Sequence, residues 1–181
     1  LLVWLKFGAS PDPRVLGLAP MTDIWLVPIY WVMVSGLVLG TFVDFEHMII
    51  PDRVTIGGIV AGLLFSALVP ALHAPPGVAE PLPFYYGLWQ SFKGAAIGFG
   101  LLWGVAALGR LIFKRDAMGF GDVKLLGAIG AFLGWHAVLF TIMISSLFGA
   151  LVGVSMIAAG RKKLQSRIPY GPYIALAALI W

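Results

Sequence analysis

Long, almost uninterrupted apolar segments follow one another along nearly the whole of this 181-residue chain. A helix that crosses the hydrocarbon core of a bilayer needs about 20 mostly apolar residues. Hydrophobic residues make up 60% of the chain and charged residues only 11%. Soluble domains average about half apolar and a quarter charged residues. The sequence therefore predicts an all-α, polytopic transmembrane helix bundle, with no room for a separate soluble catalytic domain.

Breaks between the apolar segments predict about six core spans and a partial one before them. Residues 1–7 look like the end of a helix that begins upstream, and residues 8–22, with three prolines, are predicted to be an outside loop. The core spans are predicted at residues 23–43, 54–72, 91–113, 122–133, 137–159 and from 168 onward. Because both ends of the chain fall within apolar stretches, we expect residues 23–181 to be the core of a longer protein, truncated at the C-terminus.

Basic residues set the expected orientation of these spans. Segments 110–124 and 160–167 each carry four Lys or Arg residues, whereas segment 73–90 carries none. Since positively charged loops are retained in the cytoplasm, the two basic segments are predicted to lie inside and segment 73–90 outside. Counting spans back from residue 110 places segment 44–53 inside as well. The acidic residues of segments 44–53 and 110–124 are therefore expected at the same membrane face.

Composition excludes several classes of site. The chain has no cysteine, which rules out disulfides, thiolate zinc sites and cysteine-protease chemistry. His73 and His136 lie on predicted outside turns, so we expect no metal site. The net charge of +4 comes from basic residues beside apolar segments, as in membrane topology signals, so no nucleic-acid partner is expected.

The acidic residues are few, and their positions indicate a site. Of the eight, four fall in or beside predicted loops, and the others are Asp44, Glu46, Asp52 and the lone Asp122. Two carboxyl groups that face each other can share one proton, because both cannot ionise comfortably at close range. The ionised group then activates water, and the protonated group donates to the carbonyl of a peptide bond. Asp44 and Asp122, each at the inner end of a different span, meet this requirement.

Two glycines, Gly119 and Gly121, come shortly before Asp122 in the sequence. Glycines leave the backbone open, and an open strip could pair with an unwound peptide substrate as an added strand. A second interpretation stays open at this point: Asp122 caps the fourth helix, and the two glycines serve the preceding turn.

Three segments resemble the type IV prepilin peptidases. Residues 119–122 read Gly-Phe-Gly-Asp and resemble the G-x-G-D signature of that family, including the Val-Lys that commonly follows it. Residues 44–52 resemble its D-x-E-H-x-x-[LI]-P-D segment, and residues 168–173 are similar to the start of its last helix. The three segments match in order and spacing over nearly the whole chain, which is far more specific than G-x-G-D alone.

The resemblance implies an aspartic endopeptidase of the bacterial inner membrane, a hydrolase that serves type IV pilus and type II secretion systems. Its substrates would be prepilins and pseudopilins, whose leader is cut on the cytoplasmic side just after a glycine. Carried over residue by residue, the catalytic pair is Asp44 and Asp122. Asp52 is the competing first acid. We prefer Asp44 because related preflagellin peptidases tend to have Asn at the position of Asp52, which also has a sufficient role in capping the helix after Pro51.

Supporting residues are expected within the same segments. The candidates for substrate contact or support of the site are Gly119, Gly121, Lys124, Glu46, Asp52, Pro169 and Gly171. Lys124 would hold the substrate or lower a carboxyl pKa, or else extend to the membrane interface. Glu46 and His47 would order the first acid or else be solvated, and the residues around Tyr170 would shape the path of the substrate.

Larger members of the family carry an N-terminal segment with paired Cys-x-x-Cys motifs and also N-methylate the pilin with S-adenosylmethionine. This chain has no cysteine, so either such a region precedes it or it is a short, peptidase-only type. The peptidase reaction itself is expected to need no cofactor, and S-adenosylmethionine would matter only with that additional region. Alternatives are another intramembrane aspartyl peptidase, such as a preflagellin or presenilin-like enzyme, a cation-coupled carrier, and a structural subunit. A carrier is disfavoured because the acids lie at span ends and no internal repeat is seen.

Overall fold

The structure is a computed structural model that describes residues 25–74, 82–114, 118–158 and 169–181. Within these ranges it consists of α-helices and one short 3-10 helix, which confirms the all-α membrane helix bundle. The α-helices are α1 Leu26–His47, α2 Asp52–Leu68, α3 Phe84–Phe113, α4 Phe120–Leu133, α5 Trp135–Ala158 and α6 Gly171–Ile180, and the 3-10 helix is Pro70–His73. The partial span predicted at residues 1–7, the loop at 8–22 and the whole of the second basic segment, 160–167, lie outside the described residues.

Three of the helices are long and apolar enough to cross a membrane by length and composition: Leu26–His47, Phe84–Ile112 and Trp135–Met156. They leave many large apolar side chains on the surface, such as Trp31, Phe42 and Met143, as a lipid-facing helix does. The second, fourth and last predicted spans are the shorter helices α2, α4 and α6, of 17, 14 and 10 residues. The number of predicted core helices is therefore confirmed, and half of them have full spanning length.

Several boundaries differ from the prediction. α1 continues to His47, beyond the predicted end at residue 43, and stops where Met48 adopts a left-handed backbone conformation with φ of 53°. α2 ends at Leu68 because Pro70 follows and starts the 3-10 helix. α5 begins directly after Gly134, whose φ of +82° breaks the chain between two helices within a single residue.

α4 is the central helix of the bundle. Ten of its 14 residues are buried, and it packs mainly against α2 and α3. Small residues allow this close packing: a Cβ atom on Gly62 of α2 would lie 2.6 Å from the Cβ of Ala131, and one on Gly94 of α3 would collide with the carbonyl oxygen of Gly130. Such contacts stabilise helix pairs in lipid, where hydrophobic burial between helices contributes little.

The C-terminal end of α4 is fixed by side chains from two neighbouring elements. The Ser91 hydroxyl donates to the carbonyl oxygen of Ala131 at 2.7 Å, and Nε2 of His73 lies 3.2 Å from the same oxygen. Ser66 Oγ is 3.0 Å from that His73 nitrogen. The last carbonyls of a helix have no partner within it, so these groups supply the missing donors. α4 is thereby held in place, and its other end carries Asp122.

Candidate functional site

Two buried carboxyl groups meet at one end of the bundle. Asp44 belongs to the last turn of α1 and is 5% exposed, and Asp122 belongs to the first turn of α4 and is 7% exposed. They are close enough for the charge of Asp44 to act directly on Asp122. The structure thus brings together the two acids that the sequence singled out, although Asp44 lies within a helix and not in the polar loop predicted after it.

The N-terminus of α6 completes the surroundings of Asp44. The backbone N–H of Gly171 donates to the Asp44 carboxyl group, and a Cβ atom on Gly171 would lie 2.7 Å from Asp44 Oδ2. A methyl group at this position would therefore displace the Asp44 carboxyl group. The Tyr170 hydroxyl lies 2.8 Å from Ser145 Oγ and 3.2 Å from Ser146 Oγ of α5, so this end of α6 is tied to α5. Helix N-termini favour negative charge, which suits a carboxylate here.

Asp122 interacts with the start of its own helix. Gly119 is the N-cap of α4, and its N–H donates to the Asp122 carboxyl group. The N–H of Asp122 in turn bonds the Gly119 carbonyl oxygen at 3.2 Å. This is one half of a capping box, in which the acid at the third helical position accepts from the N–H of the N-cap residue; Gly119 has no side chain to supply the other half. The capping interpretation therefore describes only part of the local geometry, and the charge of Asp44 acts on the same carboxyl group.

The open backbone strip predicted around Gly119 and Gly121 is only partly present. Gly121 is helical, and a Cβ atom there would lie 3.1 Å from the Cβ of Ile50. Its backbone is therefore already packed and has no free edge for a pairing strand. Gly119 alone lies outside the helix, in an extended conformation with ψ of 138°.

Electrostatics favour a proton on this pair of acids. Asp122 lies outside the three helices of spanning length, and burial, followed by repulsion from Asp44, raises the pKa of Asp122 from 3.8 to about 7. The hydrogen bond from Gly119 opposes this shift. Asp44 Oδ2 is buried and has no hydrogen-bond partner among the described residues. A buried acceptor without a donor costs free energy, so the site favours a proton or a polar substrate group at this oxygen.

Asp52 and Lys124 form an ion pair, with 2.6 Å between Nζ of Lys124 and Oδ1 of Asp52. The pair joins the first residue of α2 to α4, and the ammonium group also lies 5.2 Å from the ring centre of Phe120. α2 has no side-chain cap hydrogen bond, so the predicted capping role of Asp52 is wrong. Lys124, for which substrate binding, a pKa effect or snorkelling was predicted, instead pairs with an acid outside the dyad.

The other predicted supporting residues are more exposed than the two acids. Glu46 and His47 are exposed at the end of α1, with 3.9 Å between Nδ1 of His47 and Oε2 of Glu46. Their exposure favours the interpretation that both side chains are solvated. Pro169 is half-buried, two residues before Gly171. In the described ranges there is no cluster of three His, Cys, Asp or Glu side chains that could hold a metal ion.

Ile50 is part of the site and was not singled out from the sequence. It is 4% exposed, and it contacts both glycine-containing helix starts, at Gly121 of α4 and Gly171 of α6. The signal in the sequence is its place directly before Pro51, at the [LI] position of the segment that resembles the family motif.

The model of the type IV leader peptidase family matches residues 31–154 of the chain. The chain belongs to this family. The matched range contains Asp44, Asp122 and every residue between them, and it ends before the last helix.

Curated relatives support the same assignment. The chain is 35% identical over 154 residues to a prepilin leader peptidase/N-methyltransferase of Aeromonas salmonicida, a match that covers 83% of the chain and 47% of that protein. For proteins of the same name from Pseudomonas putida and Pseudomonas aeruginosa, the identities are 30% and 32%, covering 100% and 87% of the chain and 54% and 50% of the relatives. The chain thus spans about half the length of the curated relatives it matches. No solved structure matches it.

Proposed function

We propose that this chain is the membrane-embedded peptidase core that removes the leader peptide of type IV prepilins and pseudopilins. Asp44 and Asp122 are the proposed catalytic pair. The observation that carries the proposal is the convergence of these two buried carboxyl groups, 5% and 7% exposed, from the ends of two different helices. Family membership and the names of the relatives supply the substrate class.

The proposed reaction is direct attack of water on the scissile peptide carbonyl. Asp44, as the carboxylate, removes a proton from water while the water oxygen bonds to the carbonyl carbon. Asp122 donates its proton to the carbonyl oxygen, which gives a neutral tetrahedral gem-diol. Collapse of this intermediate breaks the carbon–nitrogen bond; the amine takes the proton from Asp44, and Asp122 takes a proton from a hydroxyl of the gem-diol as the carbonyl re-forms. Proton donation by Asp122 agrees with its raised pKa of about 7, since a carboxyl group with the usual value would be ionised at neutral pH.

Helix ends support the charges in this scheme. The N–H groups of Gly171 and Gly119 each donate to one of the two acids, so both carboxyl groups are oriented before the substrate arrives. Fixed donors cost no reorganisation during the reaction, which is the main benefit of a preorganised site. Every proton transfer in the scheme uses a carboxyl group, so the proposed reaction requires no cofactor.

The proposed location is the bacterial inner membrane, with the site facing the cytoplasm. Four Lys or Arg residues in segment 110–124 favour this face for the start of α4. Asp44 and Asp122 interact, so the end of α1 belongs at the same face. A substrate with one apolar helix in the bilayer and its leader in the cytoplasm would reach this site from the membrane.

Methyl transfer is not part of the proposal for this chain. S-adenosylmethionine carries a carboxylate, an ammonium group, ribose hydroxyls and a base, and its binding site must offer several polar groups. One groove on the described surface is lined by apolar and aromatic side chains: Leu63, Tyr85, Leu88, Trp89 and Phe92. These residues do not fit such a ligand.

The test is cleavage of a purified prepilin by the purified chain in detergent or lipid, with release of the leader followed by mass spectrometry. We expect cleavage at the leader junction, and no cleavage with Asp44→Asn or Asp122→Asn. A preflagellin offered in parallel distinguishes the related peptidase specificity. Failure of the well-folded chain to cleave either substrate would overturn the proposal and leave the carrier or structural alternatives.

A further inference from the structure

The loop between α1 and α2 carries one buried side chain into the site. Ile49 is 68% exposed, whereas its neighbour Ile50 is only 4% exposed. The Cδ1 atom of Ile50 lies 3.0 Å from the position of a Cβ on Gly171, and its Cβ lies 3.1 Å from that on Gly121. Ile50 therefore packs against the helix start that binds Asp44 and against the one that contains Asp122.

The Asp52–Lys124 ion pair fastens this loop to α4. Asp52 is two residues beyond Ile50, and Lys124 is two residues beyond Asp122, so the 2.6 Å contact joins the base of the loop to the helix that bears the acid. The Lys124 side chain is 19% exposed and that of Asp52 is 65% exposed. At the other end of the loop, the left-handed Met48 and its hydrogen bond to the Asp44 carbonyl oxygen, at 2.9 Å, fix the exit from α1.

We infer that the Asp52–Lys124 pair is a latch that seats Ile50 against the two acid-bearing helix starts, and that all three are positioning residues for the proposed peptidase reaction. An apolar side chain at this point limits the water that reaches the acids. It also holds the first turns of α4 and α6 at a fixed spacing. This assigns Asp52 a role that is neither a third catalytic acid nor a helix cap, and Lys124 a role apart from substrate binding.

The inference rests on the proposed function only for its effect on cleavage, because the position of Ile50 can be measured without any substrate. The chain has no cysteine, so a single introduced thiol is a unique reporter. Ile50→Cys places the thiol at the buried position, and Ile49→Cys places it at the exposed neighbour. Both variants would be labelled with a membrane-impermeant maleimide in the purified, lipid-reconstituted chain.

The latch predicts slow labelling of Ile50→Cys and fast labelling of Ile49→Cys. Adding Lys124→Met should speed labelling at position 50 about fivefold, the size of change expected when a partly exposed ion pair is lost from a local opening equilibrium. Labelling at position 49 should not change. Lys124→Arg should restore the slow rate. The matched control is Arg53→Gln, which removes one positive charge from the exposed residue beside Asp52; it should leave the rate at position 50 unchanged.

Cleavage kinetics then test the effect on the reaction. In the chain with the native Ile50, Lys124→Met and Asp52→Asn should each lower kcat about tenfold with little change in KM, because displaced catalytic groups lose transition-state stabilisation. A change confined to KM would show substrate binding by Lys124 and overturn the positioning role. Unchanged labelling at position 50 in Lys124→Met would overturn the latch. If the parent chain cleaves no prepilin, the proposed function fails, and the labelling result alone supports or overturns the latch.

Discussion

The two ends of α4 differ in how their buried polar groups are satisfied. At the C-terminal end, Ser91 and His73 contact the Ala131 carbonyl oxygen, so an unpaired group of the helix is satisfied by neighbouring elements. At the N-terminal end, Asp122 lies beside a second buried acid, and Oδ2 of Asp44 has no partner in the described part of the chain. The C-terminal end thus satisfies its buried carbonyl oxygen. The N-terminal end leaves a buried carboxyl oxygen without a partner, which is unfavourable in the absence of substrate.

This difference shows how a small helix bundle tolerates two buried acids close together. Two buried acids at close range destabilise a fold unless the surroundings hold them in place. The packed interface of α4 with α2 and α3, and the satisfied far end, provide that support. Substitutions at the two ends should therefore have different consequences. Changes at the acidic N-terminal end should alter activity and leave stability intact, and changes at the C-terminal end should alter stability and leave activity intact.

The largest effect is expected from the acids themselves. Asp44→Asn and Asp122→Asn should each lower cleavage by about a thousandfold or more, because the amide neither accepts the proton of water nor donates an acidic one. Thermal unfolding should be unchanged or shifted upward, since a buried charge is removed. Leader release and the unfolding temperature measure the two quantities. A cleavage rate within tenfold of the parent in either variant would contradict the dyad.

A smaller loss is expected from a single methyl group beside Asp44. In Gly171→Ala the added Cβ would lie 2.7 Å from Asp44 Oδ2, so the carboxyl group or the start of α6 must move. A displacement of about 1 Å can cost about a hundredfold in rate. Gly104→Ala is the matched control, since nothing lies within 4 Å of its Cβ position. It should retain full activity and gain up to about 1 kcal/mol of helix stability. Equal losses in both variants would remove the steric argument.

Much of this arrangement was predicted from the sequence, and particular residues show the limit. Asp122 and its helix follow from the Gly-Phe-Gly-Asp segment and the apolar residues after it. Hydropathy ended α1 at residue 43, because Asp44 and the polar residues after it look like a loop. In the structure the helix continues to His47, and the Asp44 carboxyl group accepts a hydrogen bond from Gly171, a residue more than a hundred positions away that no local pattern reveals.

Ile50 and Asp52 show a second limit. An isoleucine in a polar segment carries no chemical signal, and only the packing of three chain segments gives it a place in the site. Asp52 sits where a helix cap is common, so local rules favoured that role. The ion pair with Lys124 depends on how α2 and α4 pack, which the spacing of charges along the chain does not reveal.

The pH dependence of cleavage should follow the protonation of Asp122. With the pKa of Asp122 raised to about 7, its proton is lost as the pH increases through that value, so the rate should fall about tenfold per unit above it. Since the folded-state pKa exceeds the unfolded value of 3.8, the folded chain binds the proton more tightly, and stability should decrease as the pH rises from about 4 to about 7. Asp122→Asn should remove that part of the stability slope. A rate that stays constant up to pH 9 would contradict the assigned proton donor.

The smallest effect on activity, with a measurable loss of stability, is expected at the opposite end of α4. Ser91→Ala deletes the hydroxyl that donates to the Ala131 carbonyl oxygen at 2.7 Å, and an unsatisfied buried acceptor costs about 1–3 kcal/mol. His73 still contacts that oxygen, which places the expected loss near the lower limit. Ser155→Ala is the control, because the exposed Ser155 donates to Val152 of its own helix and has no other hydrogen bond to a described residue. Unfolding in denaturant should separate the two variants, while their kcat values stay within about twofold of the parent, because the acids lie at the other end of a rigid helix. A large loss of kcat in Ser91→Ala at full stability would show that the two ends of α4 are coupled, and the division between a supporting end and a reactive end would then be wrong.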